Sequence, residues 1–317
     1  MVHEHTPQIT FRAMGCEMTA WLDAPPGVAE PALARVPAMM DHFERIFSRF
    51  MPDSDLMRLN ERPGEAVKVA GELFAVIERA LALAEETGGL FDPTLLDALE
   101  AVGYDRSFEE LVVMAAPGAP APARPVPSRR VWRDVRLDHS ARTVTLPPQV
   151  RIDLGGIAKG WSAQEVARAL AAHGPCMVEA GGDLVTVGAP GGLPGWFVAL
   201  AKPGEAEGDM LHLWLRDVSI ATSGVDRRRW SSNGRTMHHL IDPQTSLPAA
   251  NDVVTATVVA PDAALAEVWA KASLLLGAVE GIGVLADRAD LDGAILSDDG
   301  TLYYTSTMLR WIHASEN

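Results

Sequence analysis

The chain has 317 residues, with 42 acidic against 27 basic side chains and a formal net charge of −15. So acidic a chain repels phosphodiester backbones and anionic lipid, which excludes nucleic acid and membrane surfaces as general partners. Hydrophobic residues make up 48% and charged residues 22%, a globular composition long enough for one large core or two coupled half-cores.

The two cysteines, Cys16 and Cys176, have no metal-ligand spacing and read as free thiols in a reducing compartment. Ala13-Met14-Gly15-Cys16 has the outline of a lipoprotein cleavage box. The "MVHEHTPQITFR" before it lacks a basic start and an apolar run, so no membrane anchor is expected. No stretch reaches about 18 apolar residues, so no transmembrane helix is expected either. The expected location is cytoplasmic.

"QITFRAMGCEMTAWLDA" is rich in β-branched and aromatic residues and predicts strand, turn, strand. Leu33, Val36, Met39, Met40, Phe43, Ile46, Phe47 and Phe50 fall at helical spacing, with a kink expected at Pro37. A second helix is predicted over Glu72 to Glu86, stopped by Gly88 and Gly89. "MAAPGAPAPARPVPS", about Met114 to Ser128, predicts an extended surface loop. It is not read as a domain boundary, because related chemistry lies on both sides of it. Strands are predicted at "RRVWRDVRLD" and "RTVTLP", then a helix over Ile157 to Ala172 ended by Gly174. Strands return at "CMVEAGGDLVTVG", "WFVALA", "LHLWLRDVSIATS" and "VVTATVVAP". Asp262 is the expected N-cap of a helix over Ala263 to Leu276, terminated by Gly277. A last hairpin turns at Asp299-Gly300. Hairpins interleaved with helices, without a regular βαβ repeat, predict an α+β fold with mostly antiparallel sheets.

The phosphate loop, the G-x-G-x-x-G fingerprint, H-E-x-x-H and paired C-x-x-C are all missing from the sequence, so the common nucleotide and zinc mechanisms have no support. Five dense motifs remain: "SRFMPDSDLMRLN", "TGGLFDPT", "RIDLGGIAKGWSA", "VEAGGDLVTVG", and "IATSGVDRRRW" with "HHLIDPQTSLP". Each has an ordinary reading. Gly181-Gly182 alone reads as a bulge or tight turn. Gly155-Gly156 before a helix is either an anion site or a close strand–helix contact. The run Arg227 to Arg229 reads as solvated charge, and His238 and His239 read as ordinary polar residues.

Taken together, "FDPT", "DLGGIAKG", "GGD", "ATSG" and "HHLIDPQT", in that order, resemble the ApbE-type FAD:protein FMN transferases along nearly the whole chain. The resemblance implies one ApbE-like domain over residues 1–317, built as two T-fold-like halves around a central flavin-binding cleft. It implies that FAD is cleaved at its pyrophosphate, that AMP leaves, and that FMN joins a Thr or Ser of a client flavoprotein through its phosphate. Glycine pairs would let backbone amides approach the phosphates. By the same resemblance Met14, Phe50, Leu90, Phe91 and Asp92 line the ring pockets, with Phe50 standing where the family usually has tyrosine. Asp153 and Lys159 contact FAD, as do Gly181, Gly182, Asp183, Thr222, Ser223 and Leu240. His239 serves at the pyrophosphate as donor or general base.

The implied Mg²⁺ site departs from the family pattern. In "AEVWAKA", Glu267 replaces the usual aspartate and Lys271 the usual threonine, with a carbonyl near Gly156 completing the set. Three readings stay open. Glu267 and Lys271 form an i, i+4 ion pair on an exposed helix face; or the Lys271 ammonium takes the metal's place, with a catalytic role beside the pyrophosphate; or metal still binds with Lys271 swung aside. The alternative to a transferase is an FAD-binding carrier or sensor of the same fold without turnover.

Overall fold

The structure is a computed structural model and describes residues 6–113, 131–204, 208–226, 229–232 and 235–313. The Ala/Pro-rich stretch expected as a surface loop lies outside the described residues. The chain divides into two compact units. The first comprises Met1–Asp41, Lys159–Asp226 and Asp252–Asn317; the second comprises His42–Ala158 and Arg227–Asn251.

The first unit is built on an eight-stranded sheet whose spatial order is its chain order. Its strands are β1 (Gln8–Ala13), β2 (Cys16–Leu22), β3 (Cys176–Ala180), β4 (Asp183–Val187), β5 (Ser219–Gly224), β6 (Val253–Ala260), β7 (Asp292–Ser297) and β8 (Leu302–Tyr304). Every neighbouring pair is antiparallel. Alternation along the strands decides what each face meets. Met177, Ile220, Val259 and Ala294 turn to a core they share with Trp196, Val198, Leu213 and Leu215 of a separate hairpin, Trp196–Ala201 with Asp209–Leu215. One residue on from Ala294, Ile295 faces the opposite side, against the helix Ala278–Ala286. The helix Ala263–Leu276 packs over β5 and β6 on that side.

The second unit holds the helices Asp55–Asn60, Gly71–Glu86, Leu96–Ala101 and Phe108–Val113. It also holds an antiparallel sheet in the order Ala66–Lys68, Thr143–Thr145, Arg136–Asp138. One of its cores gathers Leu99, Val102, Tyr104, Trp230 and Ile241, and the Trp230 indole donates to the Val102 carbonyl at 3.1 Å.

Two expectations change here. The helical spacing before Phe50 is not one kinked helix but two, Pro26–Leu33 and Val36–Phe47. Pro37 sits in the first turn of the second, where a missing N–H costs no intrahelical bond. Of the segment expected as a strand at "RRVWRDVRLD", the described residues form a 3₁₀ turn over Val131–Asp134, and among them only Arg136–Asp138 pairs. The rest is an α+β fold with antiparallel sheets, as the interleaved hairpins and helices predict.

Candidate functional site

Two tight hairpin turns bring the first unit's motif residues together. β1 and β2 close through Met14-Gly15, both left-handed at φ 51° and 69°. β3 and β4 close through Gly181-Gly182 at φ 65° and 101°. Two successive positive φ values are the signature of the turn that matches strand twist. The pairing of Met18 with Ala180 places both turns at the same end of the sheet. They are so close that a Cβ on Gly181 would stand 2.9 Å from the Cys16 Cβ. The glycine doublet is therefore first a turn requirement, and the Gly181 amide already donates to the Glu17 carbonyl at 3.1 Å.

The next residue, Asp183, begins a buried charged cluster at this end. Its Oδ2 accepts from Lys159 Nζ at 2.7 Å and its Oδ1 from the Thr222 amide at 3.2 Å. Lys159 also donates to Glu267 Oε1 at 3.1 Å. Glu267 Oε2 accepts the Gly160 amide at 3.1 Å, so this side chain caps the first turn of the helix Ala158–Ala171 from another helix. Gly160 must be small: a Cβ there would lie 3.0 Å from both the Ala263 carbonyl and Glu267 Oε2. One ammonium thus faces two carboxylates. Burial raises the Glu267 pKa above the ordinary carboxylate range, against the opposing pull of Lys159.

This corrects one sequence reading. Glu267 is not on an exposed helix face; it is buried, 7% exposed, with its oxygens engaged by Lys159 and Gly160, while Lys271 one turn on is half-buried. Thr222 is exposed and Ser223 half-buried on β5, and the Thr222 and Thr257 hydroxyls are 2.9 Å apart.

In the second unit the other motifs meet around Asp153. Arg151 is tied to Asp97 and Glu100. Ile152 exchanges two 2.8 Å hydrogen bonds with the Asn60 side-chain amide, and the Asp153 amide donates to the Pro93 carbonyl at 2.8 Å. The Asp153 carboxylate, so placed, forms an ion pair with Arg49 Nε at 3.2 Å and accepts from the Gly155 amide at 3.2 Å. Arg49 Nη1 donates to the Tyr104 carbonyl at 2.8 Å. The guanidinium lies over the rings of Phe50 and Tyr104, at 4.2 and 4.5 Å. Tyr104 stacks on Trp230 and meets the His239 ring edge-on, with 6.4 Å between centroids.

Of the two adjacent histidines, His238 is structural. Its Nε2 donates to the Ala249 carbonyl at 2.9 Å and its Nδ1 accepts from the Leu240 amide at 3.3 Å, while burial lowers its pKa. The neighbouring His239 is half-buried.

"FDPT" is more interior than a pocket wall would be. Phe91 is 2% and Asp92 7% exposed, and Asp92 Oδ1 accepts from the Thr94 amide and hydroxyl. Leu90 is half-buried, Leu240 is buried, and Phe50 is open at 40%. Gly156, the expected carbonyl donor, is buried next to exposed Gly155. Sequence reasoning missed Arg49, Asn60, Gly160 and Tyr104. Arg49 and Asn60 stand inside the first motif, and Gly160 closes "GGIAKG".

The sequence matches the ApbE family over residues 14–295. The chain belongs to the ApbE family. Among ApbE relatives, the FAD:protein FMN transferase of Treponema pallidum is 30% identical, covering 90% of this chain and 82% of its own length. One from Klebsiella pneumoniae is 28% identical, covering 78% and 72%. The fold is similar to that of the ApbE protein of Thermotoga maritima, with a TM-score of 0.86 at 24% identity over 98% of this chain and all of that one. It is also similar to the flavin transferase ApbE of Vibrio cholerae, with a TM-score of 0.79 at 23% identity over 96% and 99%.

The Mg²⁺ implied by the ApbE resemblance does not suit the residues present in the first unit. A hard divalent cation needs several oxygen donors turned toward it. Glu267 is already committed to two N–H donors, and Lys271, while protonated, has no lone pair to give. Among the described residues no group of three or more His, Cys, Asp or Glu side chains could hold a metal.

Proposed function

We propose that this chain is an FAD:protein FMN transferase whose positive charge at the diphosphate comes from lysine. The client's Thr or Ser oxygen attacks the phosphorus of the FMN moiety, the bond to AMP breaks, and the hydroxyl proton passes to His239. Phosphoryl transfer of this kind needs positioning and charge neutralisation more than covalent chemistry by the protein. Lys271 would carry the charge, one unit where a metal ion carries two, since the Lys159 ammonium is taken up by Asp183 and Glu267. Phe50, with Leu90 and Leu240, would hold the ring, and Met14, Thr222 and Ser223 would contact FAD at the sheet end.

The observation behind this reading is that motif residues scattered from Arg49 to Glu267 form one charged cluster and one aromatic cluster, in a chain matched to the ApbE family over residues 14–295. The test is incubation with FAD and a client domain, with Mg²⁺ or with EDTA, followed by flavin fluorescence of the client on a denaturing gel. The expected result is a fluorescent client and released AMP in both, with His239→Ala lowering the rate by about 10²–10⁴-fold. Absence of transfer by protein that demonstrably holds FAD rejects the proposal. Loss of transfer in EDTA rejects its lysine part.

Lys271, standing where the ApbE pattern has threonine, favours one second reading, an FAD carrier or sensor without turnover. It predicts that Lys271→Thr gains Mg²⁺-dependent release of AMP. Brisk AMP release by the unmodified chain excludes it.

A further inference from the structure

We infer that Arg49 is the residue that selects the ring of the ligand, donating from Nη2 to a carbonyl oxygen on the edge of a flat heteroaromatic system placed against Phe50. The inference rests on the transferase reading above, which supplies the isoalloxazine of FAD as that ring.

The Arg49 side chain is 6% exposed, unusual for a residue that carries full charge at every physiological pH. Two of its nitrogens are held: Nε is ion-paired with Asp153 and Nη1 donates to the Tyr104 carbonyl. The planar fork is then fixed in direction, gripped further by the Phe50 and Tyr104 rings. Its Nη2 is buried and has no acceptor among the described residues. A buried donor held in place without an acceptor is a standing cost to the fold and calls for a partner from outside. The neighbouring surface says what kind. Tyr104 is closed at 7% exposure, but Phe50 is open at 40%, so an aromatic surface lies open beside the orphan donor. The Asp153 carboxylate at 3.2 Å already balances the guanidinium charge, which suits a neutral carbonyl acceptor better than a phosphate. A ring carbonyl next to a stacking surface meets both demands.

The experiment is equilibrium binding of FAD, and of ADP as a probe that keeps the diphosphate and adenine but lacks the flavin ring, to the full chain and to Arg49→Lys and Arg49→Gln. Thermal melting checks the fold, and the visible spectrum of bound flavin is recorded. Arg49→Lys is expected to weaken FAD about 10- to 100-fold, as loss of a charge-assisted hydrogen bond does. ADP should stay within about twofold, and the visible bands of bound flavin should shift. Unchanged FAD affinity and spectrum in both variants overturns the inference, and so does an equal loss of ADP. Should both variants fail to fold, the unmodified chain is titrated with 2-thio-FAD and 4-thio-FAD, in which sulfur, a weak acceptor, replaces one carbonyl oxygen. At least one is expected to bind about fivefold more weakly or worse, and equal binding of both overturns the inference. If the unmodified chain binds no FAD at all, the transferase reading fails first and this one falls with it.

Discussion

Asp183 and Glu267 share one ammonium, and that arithmetic decides how the cluster responds to substitution and to pH. With both acids ionised the three groups sum to −1 in a place where only 9% of each carboxylate side chain and 15% of the lysine's is exposed. Because burial raises the folded-state pKa of Glu267, its contribution is fully present below the unfolded value of about 4.5 and is lost as pH climbs through the raised one. Glu267→Gln keeps an acceptor for Lys159 or Gly160 and leaves Lys159 and Asp183 as a neutral pair. Its melting temperature should match or exceed the parent's at pH 7, with a flatter profile between pH 4 and 8. A loss above about 1 kcal/mol at pH 7 would contradict this, since a needed ion pair costs more than that to break. Lys159→Met strands two buried carboxylates and should cost about 3–5 kcal/mol at pH 7, less in acid. Met14 is a second residue with a measurable tension. A side chain at φ 51° costs about 1–2 kcal/mol relative to glycine. Met14→Gly should therefore raise the melting temperature while weakening FAD, if the left-handed turn is kept for ligand contact. A stabilised variant with unchanged FAD affinity would remove Met14 from the site.

Elements whose causes are local were legible in the sequence. The helix Ala263–Leu276 starts and stops where Asp262 and Gly277 dictate: the Asp262 carboxylate accepts the Leu265 amide at 2.9 Å and Gly277 takes φ 87°. Asp262→Ala should cost about 1 kcal/mol and Asp262→Asn much less, by denaturant melts. Equal losses would show that the charge matters more than the cap. The turns at Met14-Gly15 and Gly181-Gly182 were legible for the same reason, since the positive φ of a tight hairpin turn favours glycine. What was not legible depends on partners far along the chain. Glu267 looks like a surface residue by helical spacing, and its partner Lys159 is 108 positions away. Arg49 looks like one more arginine until Asp153 and Tyr104 close around it. Motif resemblance named candidate residues, yet it could not say that Phe91 and Asp92 face inward or that His238 is spent on the Ala249 carbonyl.

At the scale of the whole molecule, the large sheet is a meander only in space. β2 ends at Leu22 and its neighbour β3 begins at Cys176, yet five residue pairs from Met18–Ala180 to Leu22–Cys176 join them. Closing so long an excursion is entropically slow but adds cost only logarithmically with its length, so the strands hold once formed. β1 and β2 cannot stand alone, because an isolated two-stranded hairpin is marginal in water, and Met18, Ala20 and Leu22 are buried at 1% exposure or less. Without them β3 becomes a free edge with apolar neighbours, a template for aggregation. A fragment of residues 159–317 should accordingly aggregate or melt without cooperativity. A peptide of residues 6–24 added in trans should restore a cooperative transition by pairing with β3. A fragment that is monodisperse without the peptide, and melts as one unit, would show that the sheet needs neither N-terminal strand.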